Sequence, residues 1–203
     1  MFHAVATGTA LLASLAATIA VPSSAPPPGK FTVQVVGVNG SGCPSDSVGV
    51  SAAPDGTSFK LTYSRFSAAA GPGAAALDFR KNCQFALDVS GTKGWTWALS
   101  RFATSGSASL QSGATGIEAI SYYWAGNSRT GRAEHTFTGP ISGPWQHTMK
   151  IAKKSLMYVP CGERRYLNIN LEVRVRAGTA TGRNVLTMGS TGGSAFHIVW
   201  QKC

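Results

Sequence analysis

YLNINLEVRVRA, residues 166–177, is the stretch whose reading decides the fold. Leu167, Ile169, Leu171, Val173 and Val175 fall on one side of the period, and Asn168, Asn170, Glu172, Arg174 and Arg176 on the other. Period two is the mark of an extended chain, whose successive side chains point to opposite faces. The run is therefore a strand with one buried face. The same pattern recurs along the chain. FKLTYSRF alternates Phe59, Leu61 and Tyr63 with Lys60, Thr62 and Ser64. QFALDV does so with Phe85, Leu87 and Val89, WQHTMKI with Trp145, His147, Met149 and Ile151, and FHIVWQKC with Phe196, Ile198 and Trp200.

Turn chemistry separates these runs: PDG at 54–56, GPG at 71–73, GTKG at 91–94, GNSRTG at 126–131 and GPISGP at 139–144. No segment carries a helical period of useful length, although SAAAGPGAAALDF has room for one short helical turn broken at Pro72. Many half-buried strands at near-regular spacing predict an all-β chain, a β-sandwich of antiparallel strands rather than a barrel.

Composition sets the bounds. The chain has 203 residues, of which 43% are hydrophobic and only 13% charged, so it is globular and long enough for a real core. Its net charge of +10 attracts polyanions but says nothing about fold. The first 29 residues hold no charged side chain. An Ala- and Leu-rich run from Ala10 to Val21, then small residues and a proline run, outline a secretory signal peptide over residues 1–25, cleaved after Ala20 or Ala25. Residues 26–30 form a Pro-rich leader, and residues 31–203 are expected to form a single β-sandwich domain. No other segment has the length and apolarity of a membrane span.

Cys43, Cys83, Cys161 and Cys203 make an even count behind a signal peptide, which implies two disulfides. Three pairings exist. Cys43–Cys83 with Cys161–Cys203 is preferred because each closes a local loop, worth about 4 kcal/mol in the chain-entropy model. No two cysteines are close enough in sequence for a zinc knuckle.

VVGVNGSGCPSD, residues 35–46, has the Gly37–Gly42 spacing of a phosphate loop. Cys43 and Pro44 stand where the Lys and Ser or Thr would be needed, and no helical period follows to present its N–H groups to an anion. The glycines are read as a tight strand connection that positions Cys43. The same stretch carries the one N-glycosylation sequon, Asn39-Gly40-Ser41.

Several segments together resemble a secreted family, domain of unknown function 4360. They are VNGSGCP, PDGTSFKLTYSRF, GPG followed by RKNCQFALDV, HTFTGPISGPW, PCG followed by LNINLEVRV, and HIVWQKC, and all four cysteines fall inside them. The resemblance implies an extracellular, disulfide-bonded, β-rich protein. It implies no reaction and transfers no catalytic residue.

The residues themselves favour a non-catalytic protein. Eight carboxylates are scattered, and neither G-x-S-x-G nor H-E-x-x-H occurs. His147 sits on an apolar face, as a packed core residue would. The histidines show no ligand spacing, so no metal or cofactor is expected. Nucleic-acid binding lacks a motif and conflicts with secretion. Two binding surfaces are candidates. Trp95, Trp97, Tyr123 and Trp124, helped by Arg129, offer rings that could stack on sugar faces, against the plain alternative that they fill the core. Tyr123 stands apart because alternation puts it opposite Tyr122 and Trp124. Lys150, Lys153, Lys154, Arg174 and Arg176 offer charge to an anionic surface polymer, against the alternative of a solvated positive face. The expectation is a secreted, extracellular protein associated with cell-wall polysaccharide or a surface glycan. A small secreted hydrolase acting on wall polysaccharide, and a secreted protein that targets another protein, are the alternatives.

Overall fold

A computed structural model of the chain describes residue 29 and residues 31–64, 66–189 and 192–203. The signal-peptide reading, residues 1–25, and nearly all of the leader lie outside the described residues. Among the described residues twelve strands follow one another: β1 Thr32–Asn39, β2 Val48–Ala52, β3 Ser58–Tyr63, β4 Ser67–Ala70, β5 Arg80–Ser90, β6 Trp95–Leu110, β7 Thr115–Trp124, β8 Gly131–Thr138, β9 Ile141–Lys150, β10 Leu167–Arg176, β11 Asn184–Met188 and β12 Ser194–Lys202. The helical turn allowed for in SAAAGPGAAALDF is absent from its first half, where Ser67–Ala70 is a strand paired with β11. Alanine carries no alternation, so only that pairing reveals the strand.

The strands form two antiparallel sheets that do not close into a barrel. Sheet A has the order β1-β5-β10-β7-β8. Sheet B has the order β2-β3-β12-β6-β11-β4, with β9 also paired to β6. The strand read first, β10, lies in the middle of sheet A between β5 and β7. Its residues Leu167, Ile169, Leu171, Val173 and Val175 are all buried, as the alternation requires. They meet Phe59, Leu61, Leu99, Phe102, Leu186 and Phe196 of sheet B in one continuous core. Phe59 and Phe196, opposite each other in β3 and β12, stack with centroids 5.1 Å apart.

Both disulfides have the preferred pairing, Cys43–Cys83 and Cys161–Cys203. The glycine-rich stretch after β1 turns the chain so that Cys43 reaches β5. Gly40 has φ +133°, and a Cβ there would lie 2.3 Å from the Asn82 carbonyl oxygen, so the close approach needs glycine. A three-residue 3₁₀ turn and then β2 follow it rather than an anion-binding helix.

Candidate functional site

The strand registers sort the aromatic candidates. In β7, Tyr122 and Trp124 face the core, while Tyr123 is 42% exposed on the opposite face. Trp97 and Trp124 pack edge to face with centroids 4.6 Å apart, and Trp124 Nε1 donates to the Met157 carbonyl. Neither ring can stack on a ligand. Their burial follows from the pleat, and β6 carries a bulge beyond Trp97. Leu99 pairs with Ile198 and Arg101 with His197, so Ser100 is an extra residue. The bulge shifts the inward face from Trp97 and Leu99 to Phe102. Trp95 is half-buried beside the Cys161–Cys203 end, with Lys202 Nζ 5.6 Å from its ring centroid. It lines a 260 Å³ cleft with Arg164 and Arg165, away from Tyr123. Arg129 is exposed in the β7–β8 loop, its backbone N–H donating to Asn127 Oδ1. The structure therefore does not gather the predicted aromatics into one patch.

It builds another patch around Tyr123. Two rows cross the outer face of sheet A. One runs Asn39, Gln84, Asn170, Ser121, and the next runs Gly37, Ala86, Asn168, Tyr123. They enclose a shallow cleft of about 120 Å³ lined by Tyr123, Asn39, Gln84, Asn168 and Asn170, with Gly37 and Ala86 among its small residues. A Cβ on Gly37 would meet only the Ala86 Cβ, at 3.7 Å, so the trough exists because the side chain is missing rather than because the backbone demands glycine. Asn170 Oδ1 is buried and has no hydrogen-bond partner among the described residues. Tyr166, one residue ahead of β10, is 49% exposed and adds a second exposed ring that the sequence reading passed over.

The basic candidates separate as well. Arg174 and Arg80 both bond Glu172, which lies buried on the outer face of sheet A. Burial raises the Glu172 carboxyl, but the hydrogen bonds from the two guanidinium groups outweigh it and hold it below the usual range. Arg176 is exposed at the end of β10. Lys150 lies on β9 of sheet B, with Lys153 and Lys154 exposed on the 3₁₀ turn that follows.

One cluster lies between the sheets. Glu118 is 0% exposed on β7, and its Oε1 lies 2.7 Å from His147 Nδ1 of β9 and accepts from the Thr104 hydroxyl of β6 at 3.2 Å. Its Oε2 is buried without a partner among the described residues. The His135 ring of β8 stacks on His147 at 3.7 Å. Burial pushes the Glu118 carboxyl up against the bonds from His147 and Thr104, and burial then the neighbouring His147 push His135 down. A carboxylate that orients an imidazole is half of a hydrolytic triad. Here the adjacent hydroxyl, Thr104, bonds the carboxylate rather than the imidazole, which suits an internal strut between sheets. His147, expected to be a packed core residue, is instead half-buried, bonded to Glu118 and stacked on His135. Glu118 escaped the sequence reading, although it shares the parity of Ile120, Tyr122 and Trp124. The remaining paired carboxylates are engaged elsewhere: Asp55 by its own turn, Asp78, Glu134 and Glu163 by near neighbours in sequence (Lys81, Arg132 and Arg165), and Asp88 by the distant Arg164.

Two open, disulfide-bonded antiparallel sheets with a polar outer face define a β-sandwich protein of the extracellular kind. The family model described as "Domain of unknown function (DUF4360)" matches residues 29–203, and the chain belongs to that family. A relative from Arthroderma benhamiae, "Uncharacterized secreted protein", is 30% identical over 183 residues, covering 89% of this chain and 75% of the relative. This chain is likewise a secreted protein. Among solved structures, the enzymatically active domain of Bacteriophage CBA120 tailspike protein 4 aligns with 85% of this chain and 19% of its own, at 13% identity and a TM-score of 0.25, too low for a shared fold to be read from it.

Proposed function

We propose that this secreted protein is a non-catalytic binder of neutral cell-wall or surface glycan, acting through the outer face of sheet A. The observation that carries this reading is the Tyr123 cleft. An exposed ring offers an apolar plane to the C–H face of a sugar. Beside it stand Asn39, Gln84, Asn168 and Asn170, whose amides each donate and accept, as vicinal hydroxyls require. The unpartnered Asn170 Oδ1 supplies an acceptor for a sugar hydroxyl. The two rows contain no charged side chain, which suits an uncharged polymer. With strands about 4.8 Å apart, the face from β1 to β7 spans about 14 Å, enough for a short run of sugar rings laid across the strands.

The test is co-sedimentation of the mature protein with insoluble chitin, glucan and cellulose, in low salt and in about 1 M salt, where charge attraction is screened. Retention on one polymer that survives salt is expected. No salt-resistant retention on any of them would sink the reading. A protein partner would then come first, because Leu77 and Phe79 stand exposed ahead of β5.

A further inference from the structure

Arg101 differs in its company from most other arginines of the chain. Arg80, Arg132 and Arg174 on the strands, and Arg164 and Arg165 ahead of β10, each meet a carboxylate, while Arg176 is exposed at the end of β10. Arg101 meets a second base: its Nη2 lies 3.1 Å from Nδ1 and 3.2 Å from Nε2 of His197. On its other side Lys150 stands directly opposite in the β6–β9 register. A row across sheet B therefore runs Ser58, His197, Arg101, Lys150. Among the described residues, no carboxylate pairs with Arg101 or Lys150. Like charges set directly opposite each other in an antiparallel pair repel. An anion seated between them would remove that repulsion.

There is room for one. Arg101, Lys150 and His197 line an open groove of about 550 Å³ on the outer face of sheet B, with Thr57, Ser100, Ile151 and Ile198. Lys153 and Lys154 extend the positive surface past the end of β9. The carboxylate near His197 is Asp55, which is held by the Thr57 N–H at 3.0 Å and the Thr57 hydroxyl at 2.8 Å, and so is not recruited as a counter-ion.

We infer that the His197–Arg101–Lys150 row binds the anionic groups, carboxylate or phosphate, of an acidic extracellular polysaccharide. The guanidinium fork of Arg101 takes two oxygens of the group, Lys150 supplies a point charge, and His197 adds a third cation once protonated. His197 is held below its ordinary range by burial and then by Arg101, with Asp55 pulling the other way. An anion over Arg101 offsets the first two influences, so binding takes up a proton from solvent onto His197 and strengthens as the medium becomes mildly acidic.

The site lies on the opposite sheet from the Tyr123 cleft and stands without it. The test measures binding of the mature protein to soluble polygalacturonate and to polyphosphate at low salt, at about pH 5.5 and about pH 7.5, values that bracket a histidine titration. The two probes separate carboxylate from phosphate as the preferred group, and binding to either one meets the expectation. Arg101→Gln with Lys150→Gln is expected to weaken binding at least about tenfold. Lys93→Gln with Arg183→Gln removes equal charge elsewhere on the exposed surface and is expected to change it by less than about threefold. His197→Gln is expected to keep the neutral-pH affinity and lose the gain at acid pH. Equal losses in the two double variants would reduce the site to diffuse charge and overturn the inference, as would no low-salt binding to either probe.

Discussion

The outer faces of the two sheets are built by the same alternation and end in opposite chemistry. On sheet A, amide side chains cover the middle of the face, and Arg80 and Arg174 towards its far end are paired with Glu172, with Arg176 left exposed at the end of β10. On sheet B, Arg101 and Lys150 face each other, and among the described residues no carboxylate pairs with either. The net charge of +10 is therefore not spread evenly as an available field. What a partner meets depends on which cations remain uncompensated after folding, and that is set by cross-strand register rather than by composition.

This difference can be broken or sharpened experimentally. The largest effect concerns two neighbours on one strand. Trp124→Ala removes a fully buried ring and is expected to cost about 3–5 kcal/mol of stability. Tyr123→Ala, one residue away and exposed, is expected to leave stability within about 0.5 kcal/mol. Denaturant midpoints of the two variants check this. In binding, Tyr123→Ala is expected to cost about 2 kcal/mol, roughly thirtyfold, on whichever neutral polymer the protein retains, measured by depletion isotherms. Gly37→Leu, which fills the trough without touching Tyr123, is expected to act in the same direction.

Glu172→Gln would erase the contrast between the sheets. It frees Arg80 and Arg174, so salt-sensitive anion binding should appear on sheet A, at a stability cost of about 1 kcal/mol given that Arg80 is half exposed. Its pH dependence has a definite sign. The Glu172 carboxyl is depressed in the folded state, so its contribution is present above the usual carboxylate range and lost as pH falls through the folded value. Glu118 has the opposite sign. Its carboxyl is raised by burial, so its contribution is full below the usual range and lost as pH rises through the folded value. Glu118→Gln is expected to flatten that slope and to raise stability at neutral pH, read from unfolding curves at about pH 4, 6 and 8. The smallest effect concerns Asn39, which is exposed and lines the Tyr123 cleft. If the sequon is used in a eukaryotic secretory host, the attached sugar covers the cleft. Asn39→Gln should then remove the mass of one glycan and raise retention modestly.

Much of the fold was legible where large apolar residues alternate with polar ones, as in β3, β5, β10 and β12. It faded where side chains are small. The ATSGSASL half of β6 and the SAAA of β4 carry too little contrast to show a period, and they become strands through pairing with β9 and β11. The parity change at Ser100 needed the β12 register to be seen. Of the glycan candidates, Tyr123 was legible from local alternation alone. Tyr166 lies just outside its strand and was not. Lys150 was legible as charge, but its row with Arg101 and His197 joins positions 49 and 47 residues or more apart in sequence and exists only through long-range register.

The most direct test of the central contrast compares two variants on the same neutral polymer in about 1 M salt, where only uncharged recognition survives. Tyr123→Ala should lose retention, and Arg101→Gln with Lys150→Gln should keep it. If the charge variant loses retention while Tyr123→Ala keeps it, the sheet A cleft is not the glycan site.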